Sequence, residues 1–458
     1  MDIKINNVGI IKDSKVCIDG LTVITGKNNA GKSTVGKCLY SVISSTNHIF
    51  EKYLYETTSF AYRSLLDNIR NIGLSMLFRH LSNDETSRWP VLFSIYNDTF
   101  SKKIVSTEDI IDVLNEAESE FQSLDYESMK KNSPLYIRRV DKALFDKQIE
   151  ECLNSLDKTK NTIKSDADMK GFIRKKVFEY VSNEFNKQIQ PVKDSNCVSQ
   201  ISIEDNGNLF FDARISKSFV EGNPYFLQSF SKCFLIDDVN VLNDMNGYYN
   251  YSRYRQNNDH DRLEDYLEDI NHTRFLLASI TDSSDTFTRD FFEREFSSVL
   301  EVFNETFGDS IIRVNNNFYC QSDKLDIRNL ATGSKLFAIL KLLFENGKID
   351  SNTLIVLDEP ENHLHPEWQN LLAKFISILV KEKKCKFVIT THSPNLLLAL
   401  NTMMIKYSIE SESNFYFAEK NDDGFVMFKK DNDNLPEEHF IINKPYMDMQ
   451  ELFEELHK

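Results

Sequence analysis

A short stretch near the N-terminus has the composition of a phosphate-binding loop. Residues 26–34 read GKNNAGKST and match the pattern G-x-x-x-x-G-K-[ST], with Gly26, Gly31, Lys32 and Ser33 in register. Glycines let backbone N–H groups turn inward around phosphate oxygens, the lysine adds a positive charge near the β- and γ-phosphates, and the serine hydroxyl can hold Mg²⁺. A glycine turn before a helix is the structural alternative. The predicted phosphate-contacting residues are Gly26, Lys27, Asn28, Asn29, Ala30, Gly31, Lys32, Ser33 and Thr34.

Two acidic residues follow a strongly apolar run in the last third of the chain. Residues 354–360 read LIVLDEP. Consecutive apolar residues predict a strand buried on both faces, as in a parallel sheet, and ligands bind at the carboxyl ends of such strands. We predict that Asp358 holds Mg²⁺, directly or through water, and that Glu359 polarises an attacking water molecule. Many strands end in acidic residues, so this pattern alone is a weak indication of a nucleotide site. Together with the phosphate loop it is a strong one.

A histidine follows the next apolar strand. Residues 387–391 read FVITT, and His392, Ser393 and Pro394 come directly after them. A lone histidine is more often structural than functional. This one ends a strand that a helix separates from Glu359, which is where a sensor of the γ-phosphate is expected. We therefore predict that His392 is catalytic.

A second candidate anion site precedes another apolar helix. Residues 329–335 read NLATGSK and lead into a helical pattern that begins near Leu336. A helix N-terminus presents free N–H groups and the positive end of the helix dipole to an anion. An ordinary helix cap has the same appearance, and both interpretations stay open on this segment alone.

Apolar periodicity predicts the elements that position these motifs. Residues 3–25 alternate as two short strands that lead into a third at Leu21–Ile24, and a helix is expected from Lys32 to about Ser44. Residues 50–192 have helical spacings without a sustained heptad seam, which argues against a long coiled coil. Residues 198–236 return to strand patterns.

The predicted architecture is an α/β head with a mixed or parallel sheet, interrupted by a mainly helical insertion. After His392, residues 414–419 and 425–429 predict a hairpin, and residues 447–456 an amphipathic helix. The predicted divisions are 1–49 (first part of the head), 50–195 (helical insertion), 196–236 (strands returning to the head), 237–306 (an Asn/Asp/Tyr-rich segment and helices) and 307–458 (second part of the head).

Composition narrows the class of protein. A chain of 458 residues with 41% hydrophobic and 27% charged residues is typical of a soluble globular protein with two or three domains. Its net charge of −16 disfavours non-specific nucleic-acid binding. The seven cysteines form no CxxC pair, which fits the reducing cytoplasm, and no run of about 18 apolar residues predicts a membrane span.

The motifs together resemble the ATP-binding-cassette (ABC) type of ATPase head, within the P-loop NTPases. In chain order they are GKNNAGKS, NLATGSK, LIVLDEPENHLHP and VITTHSP. Their residues are most similar to the motifs of the cytosolic branch that contains SMC, RecF and the OLD-type ATPases. The resemblance covers roughly residues 1–45 and 310–400. It implies ATP and Mg²⁺ as ligands, with the roles already given to Lys32, Ser33, Asp358, Glu359 and His392.

The resemblance also implies assembly, because the NLATGSK signature of one such head caps ATP held by another. Its implied nucleotide contacts are Leu330, Thr332, Gly333 and Lys335. This family usually has serine where this chain has Ala331, so a hydroxyl aimed at the γ-phosphate is missing unless Thr332 replaces it. An ATP-dependent homodimer or a larger homo-oligomer is expected, and slow hydrolysis is an open alternative.

OLD-type nucleases carry a Toprim metal domain after the head, and the residues after His392 are too few for one. The chain therefore resembles the ATPase subunit of a two-component antiphage system, of the Septu PtuA type with an HNH nuclease or the PARIS AriA type with a Toprim effector. A phage protein or DNA would be the trigger. The alternatives are a RecF/SMC-like repair ATPase that binds DNA itself and a slowly hydrolysing or non-hydrolysing, ATP-locked scaffold.

Overall fold

The fold is taken from a computed structural model of the chain. It describes residues 1–71, 106–127, 141–165, 169–205, 207–217, 219–224, 230–245, 271–281, 297–306, 311–314, 317–320, 324–362, 364–432, 444, 447–449 and 451–453. The described residues form two compact units. Unit 1 contains Met1–Asn47 and the described residues from Ile173 onward, and unit 2 contains those of His48–Phe172.

Unit 1 is built on one large mixed sheet. Among the described residues, its eleven strands lie in the order β6-β5-β4-β1-β2-β13-β12-β3-β11-β10-β7. The strands are β1 Asp2–Val8, β2 Ile11–Cys17, β3 Leu21–Thr25, β4 Ser199–Asp205, β5 Asn208–Ile215, β6 Val220–Pro224, β7 Lys232–Ile236, β10 Thr353–Asp358, β11 Lys386–Thr391, β12 Ser413–Lys420 and β13 Val426–Lys430, while β8 Ile311–Val314 and β9 Asn317–Cys320 form a separate pair.

The middle of the sheet is parallel and is buried on both faces. Strands β12, β3, β11, β10 and β7 all run in the same direction. Every residue of β3 is buried, and so are all but one residue of β10 and of β11. This is the burial expected of near-continuous apolar strands that helices cover from both sides. Their carboxyl ends lie at one edge of the sheet, where the phosphate loop follows β3, Glu359 follows β10 and His392 follows β11.

The described part of unit 1 also contains helices, several of which pack on this parallel part. They are α1 Lys32–Thr46, α5 Met169–Glu184, α6 His272–Thr281, α7 Ser297–Thr306, α8 Thr332–Glu345, α9 Pro366–Lys383 and α10 Pro394–Tyr407. Of α5, the part from Ile173 onward belongs to unit 1. Helix α1 packs against β7, β10 and β11, α6 packs against β7 and α8, and α9 packs against α7 and α10. Pro366 and Pro394 each begin a helix, where the missing N–H costs no hydrogen bond.

Unit 2 is helical. Helices α2 Ile49–Asn71, α3 Thr107–Ser123 and α4 Lys142–Ser165 pack against one another. Their shared core includes Leu114, Phe121, Phe145 and Leu156. Helix α3 begins with a capping box between Ser106 and Asp109, which satisfies two N–H groups that a helix start would otherwise leave unpaired.

The structure confirms the predicted fold class and the predicted elements that fall on described residues. The predicted domain boundaries stay predictions, and the packing places Ile173 and the residues after it with the head. Of the predicted 447–456 helix, residues 447–449 and 451–453 are described and helical. Most of the Asn/Asp/Tyr-rich segment lies outside the described residues.

No described helix is both long and apolar enough to cross a membrane.

A mostly buried histidine connects three elements of unit 1. His272 lies at the start of α6. Its Nδ1 is 2.8 Å from Glu184 Oε2, and its Nε2 is 3.0 Å from Asp237 Oδ1. Glu184 ends α5, and Asp237 directly follows β7. Burial alone would lower the pKa of His272, but the two carboxylates outweigh it and raise this pKa to about 9.

This cluster predicts that stability decreases as the pH rises. The folded-state pKa of His272 is above its ordinary value of 6.5, so the stabilisation is complete below pH 6.5 and is lost as the pH rises through about 9. The shift corresponds to about 3 kcal/mol in the free energy of unfolding. Denaturant unfolding between pH 6 and pH 10 should show this decrease in the wild type. The His272→Gln variant should lack it; equal slopes in both proteins would contradict the prediction.

Candidate functional site

The phosphate loop joins the end of β3 to the start of α1. Gly26 has φ 147° and Gly31 has φ 69°, both in the region that favours glycine. A Cβ on Gly26 would lie 2.8 Å from the Cβ of Ala418 on β12. The loop can therefore follow this path only because both positions lack side chains.

The N-terminus of α1 is open to an anion. Gly31 is its N-cap, no side chain caps the helix, and its first turn contains no acidic residue. The free N–H groups and the positive end of the helix dipole thus point into the loop. Ser33 and Thr34 lie in this first turn and are partly exposed. This geometry fits the phosphate cradle that the sequence predicts.

Lys32 connects the loop to the acidic residues. Its side chain is buried, with 4% of the residue exposed, and Nζ donates to the carbonyl oxygens of Gly26 at 3.1 Å and Lys27 at 3.0 Å. The same Nζ lies 3.4 Å from Glu359 Oε1. A buried ammonium group with carbonyl partners stays in place at the loop.

Asp358 and Glu359 leave the end of β10 and are held by the neighbouring strand β11. The hydroxyl group of Thr390 donates to Asp358 Oδ1. The backbone N–H of Glu359 donates to Thr390 O at 3.0 Å and Thr390 Oγ1 at 3.1 Å. Glu359 has φ 49°, an unusual backbone conformation for a residue other than glycine. Such conformations persist only where surrounding contacts hold them, and they cluster at functional sites.

The surroundings of Glu359 favour its ionised form. Burial by itself would raise its pKa, but the charges of Lys32 and His392 and a hydrogen bond from Asn362 lower the pKa below its ordinary value. The Asn362 Nδ2 donates to Glu359 Oε2 over 3.4 Å. An ionised carboxylate is the form that can accept a proton from water.

His392 lies beside the same carboxylate. Its Nδ1 is 3.4 Å from Glu359 Oε1 and 3.3 Å from Glu361 Oε1. The structure thus brings Lys32, Glu359 and His392 together from three parallel strand ends that are distant in sequence. The role that we predict for each of them stays a prediction.

The residues at this site fit a nucleotide with Mg²⁺. Ser33 and Asp358 would supply oxygen ligands, and Mg²⁺ in phosphate sites usually takes one or two protein carboxylates, substrate phosphates and waters. Within the described part of the chain, side chains form no cluster of three or more His, Cys, Asp or Glu that could hold a metal by themselves. A shared site between Ser33, Asp358 and the phosphates suits this donor set. Bound there, Mg²⁺ would neutralise developing charge on the phosphate.

The NLATGSK signature lies elsewhere in unit 1. Leu330 and Ala331 precede α8, which begins at Thr332 and includes Gly333. The Lys335 Nζ donates to Asn243 Oδ1 at 2.9 Å, so this buried ammonium already has a protein partner. Among the described residues, no hydrogen bond or ion pair joins residues 330–335 to the phosphate loop, Asp358, Glu359 or His392.

The stability that an N-cap hydrogen bond would add to α8 can be measured by substituting Ala331. Ala331 is the N-cap and offers no side-chain acceptor to the first-turn N–H groups. We expect Ala331→Ser to raise the free energy of unfolding by about 1 kcal/mol, because a serine hydroxyl at this position accepts from such an N–H. Denaturant melts of both proteins measure this. Ala331→Val adds bulk without an acceptor and should give no gain; a gain with valine would argue against capping.

Sequence reasoning missed two residues that shape the site. Thr390 holds both Asp358 and Glu359, and the available signal was a hydroxyl residue at the end of the FVITT strand. Ala418, on β12 of the later hairpin, leaves no room for a side chain at Gly26, and no local signal in the sequence indicates this contact.

The fold and the site define a P-loop ATPase: a parallel strand leads into the phosphate loop and its helix, and two acids follow a neighbouring parallel strand. Comparison with protein families gives the same class. Residues 1–397 match the AAA ATPase domain family, and the chain belongs to it. The protein is therefore an ATP-binding ATPase.

Solved structures with a similar chain course include SMC heads. The Smc head domain with an extended coiled coil, bound to the C-terminal domain of ScpA and derived from Pyrococcus furiosus, has 10% sequence identity and a TM-score of 0.38, with 100% of this chain and 99% of that chain covered. The SMC head domain from Thermotoga maritima has 10% identity and a TM-score of 0.34, with 94% and 98% covered. No curated protein sequence matches the chain.

Proposed function

We propose that two copies of this chain enclose ATP between the phosphate loop of one copy and the NLATGSK signature of the other. The observation that carries the proposal is the division of the site. The phosphate loop, Glu359 and His392 meet at one edge of the sheet, and residues 330–335 make no hydrogen bond or ion pair with them in the described chain. A second copy supplies the missing half.

Each residue of the site then has a chemical task. Lys32 and the N–H groups at the start of α1 bind the phosphate oxygens. Glu359 orients the attacking water and accepts its proton. His392 contacts the γ-phosphate, and the partner's α8 N-terminus adds N–H donors on the opposite side. Ser33 and Asp358 hold Mg²⁺.

The biological role that we propose is control of a separate effector nuclease in a bacterial antiphage system. The motif wording ENHLHP and THSP, which resembles OLD-like defence ATPases, supports this role. The net charge of −16 favours a protein partner over direct, non-specific DNA binding. ATP-dependent pairing of the heads would change the surface that the effector contacts.

Two inactive variants test the shared site. Lys32→Ala removes the phosphate lysine but keeps the signature. Thr332→Asp keeps the lysine and places a negative charge at the start of α8, where an acid is compatible with the helix but repels phosphate. Each variant alone should be inactive. Their mixture should recover ATPase activity, because one of the two sites in a mixed dimer combines an intact loop with an intact signature.

Recovery in this mixture requires a site made by two copies. If the mixture stays as inactive as its components while size measurements show mixed dimers, the proposed ATP sandwich is wrong. Lys32→Ala mixed with a second Lys32 variant, Lys32→Gln, is the matched control, since no intact phosphate loop is present in that mixture.

A plating experiment tests the defence role. Cells that carry this gene and its neighbouring reading frame should resist phage, and deleting either one or introducing Lys32→Ala should remove the resistance. Resistance that persists without the neighbour would exclude a separate effector encoded there.

A further inference from the structure

We propose that Glu361 is a positioning residue for ATP hydrolysis, which fixes His392 relative to Glu359. The inference rests on the proposed role of His392. Glu361 follows Glu359 by two positions, in the turn after β10, and His392 follows the neighbouring strand β11. The two turns lie side by side because the two strands are parallel and adjacent.

One carboxylate oxygen of Glu361 accepts hydrogen bonds from three consecutive residues, 391–393, which are called the histidine turn below. Its Oε1 accepts from the hydroxyl of Thr391 at 2.7 Å, the N–H of His392 at 2.8 Å and the N–H of Ser393 at 3.1 Å. Only 6% of Glu361 is exposed. A buried carboxylate needs such donors, and hydrogen bonds to a charged group are about twice as strong as neutral ones. Glu361 therefore sets the backbone that carries the imidazole.

The same carboxylate acts on the ring. His392 Nδ1 lies 3.3 Å from Glu361 Oε1 and 3.4 Å from Glu359 Oε1, although the ring angle gives a hydrogen bond to neither. Both carboxylate oxygens thus flank the Nδ1 edge of the imidazole. Nε2 is then the ring nitrogen that remains for the nucleotide.

A second buried group ties the histidine turn to the chain after Glu361. The Ser393 hydroxyl donates to Gln369 Oε1 at 2.9 Å, and Gln369 Nε2 donates to Leu364 O at 3.1 Å. Gln369 is 7% exposed. Hydrogen bonds thus join Glu361, Leu364 and the residues around His392, so that a displacement of Glu361 should displace His392.

Kinetics of single and double variants test the inference. We expect Glu361→Ala to lower kcat for ATP about 10- to 100-fold, because a misplacement of about 1 Å can cost about 100-fold in rate. The KM for ATP should change less than about threefold. Glu361→Gln keeps an oxygen that accepts the three donors but lacks the charge, and it should recover part of the loss. The exposed Glu367→Gln is the matched control and should match the wild type.

The double variant separates positioning from a general structural role. If Glu361 acts through His392, then Glu361→Ala combined with His392→Ala should be no slower than His392→Ala alone, within about twofold. Losses that multiply would overturn the inference and leave the role of His392 intact. If His392→Ala turns over like the wild type, the role proposed for His392 fails, and the positioning role fails with it. Thermal melts confirm that each variant is folded, and the same cycle with Glu361→Gln covers an alanine variant that does not fold.

Discussion

Lys32→Ala is expected to lower ATP affinity about 100-fold or more and to abolish hydrolysis. The Lys32 ammonium is buried at the loop, and a hydrogen bond that involves a charged group contributes up to about 3 kcal/mol, which equals a factor of about 100 in affinity. Binding of a fluorescent ATP analogue, followed by titration, measures the loss. The fold should persist, since the partners of Lys32 are loop carbonyls and Glu359 and not the apolar core.

The control for this experiment is Lys406→Ala. Lys406 is exposed on α10, far along the chain from the loop, and its loss removes the same charge without touching the site. This variant should bind ATP like the wild type. Normal ATP binding by Lys32→Ala would show that the phosphate cradle is assigned to the wrong residues.

Glu359→Gln is expected to lower kcat about 10²- to 10⁴-fold, the usual contribution of a general base, while ATP binding persists. An amide cannot accept the proton from water, yet it keeps the size of the side chain and a partner for the Asn362 amide. ATP should therefore trap the variant as a dimer. Phosphate release measures the rate, and light scattering with and without ATP measures the mass.

Comparison with the wild type decides how much hydrolysis matters. Glu410→Gln, an exposed acid outside the site, is the control and should keep the wild-type rate. Equal and near-zero rates in the wild type and Glu359→Gln would favour the ATP-locked scaffold, for which Ala331 in the signature is the motivating feature. A variant that hydrolyses ATP normally would remove Glu359 from the mechanism.

The sequence alone predicted those features that local residue order determines. Glycine spacing, the lysine and the hydroxyls identified the phosphate loop, because only a few residue types permit that backbone and bind that anion. Apolar runs identified β10 and β11, because strands buried on both faces tolerate few polar residues. The order of the motifs along the chain then suggested the class of ATPase.

Pairing between distant strands could not be predicted in this way. Two strand-like runs around the Asp422-Asp423-Gly424 turn predict the hairpin β12–β13, but they do not predict its insertion between β2 and β3, although this insertion places Ala418 against Gly26. Alternation reports which face of a strand is buried. It carries no information about which strand lies beside it, because many neighbours can bury the same face.

Residue types and their local spacing by themselves determined that this protein binds a phosphate and where strands and helices begin, and they predicted which side chains contact the phosphate. Only the tertiary structure decided that Lys32, Glu359 and His392 share one edge of the sheet. It also decided that Thr390 bonds to Glu359, that Glu361 bonds to the backbone of His392, and that the signature makes no described bond with these residues. The physical reason is that local order restricts the backbone, whereas the meeting of distant side chains depends on packing over the whole sheet.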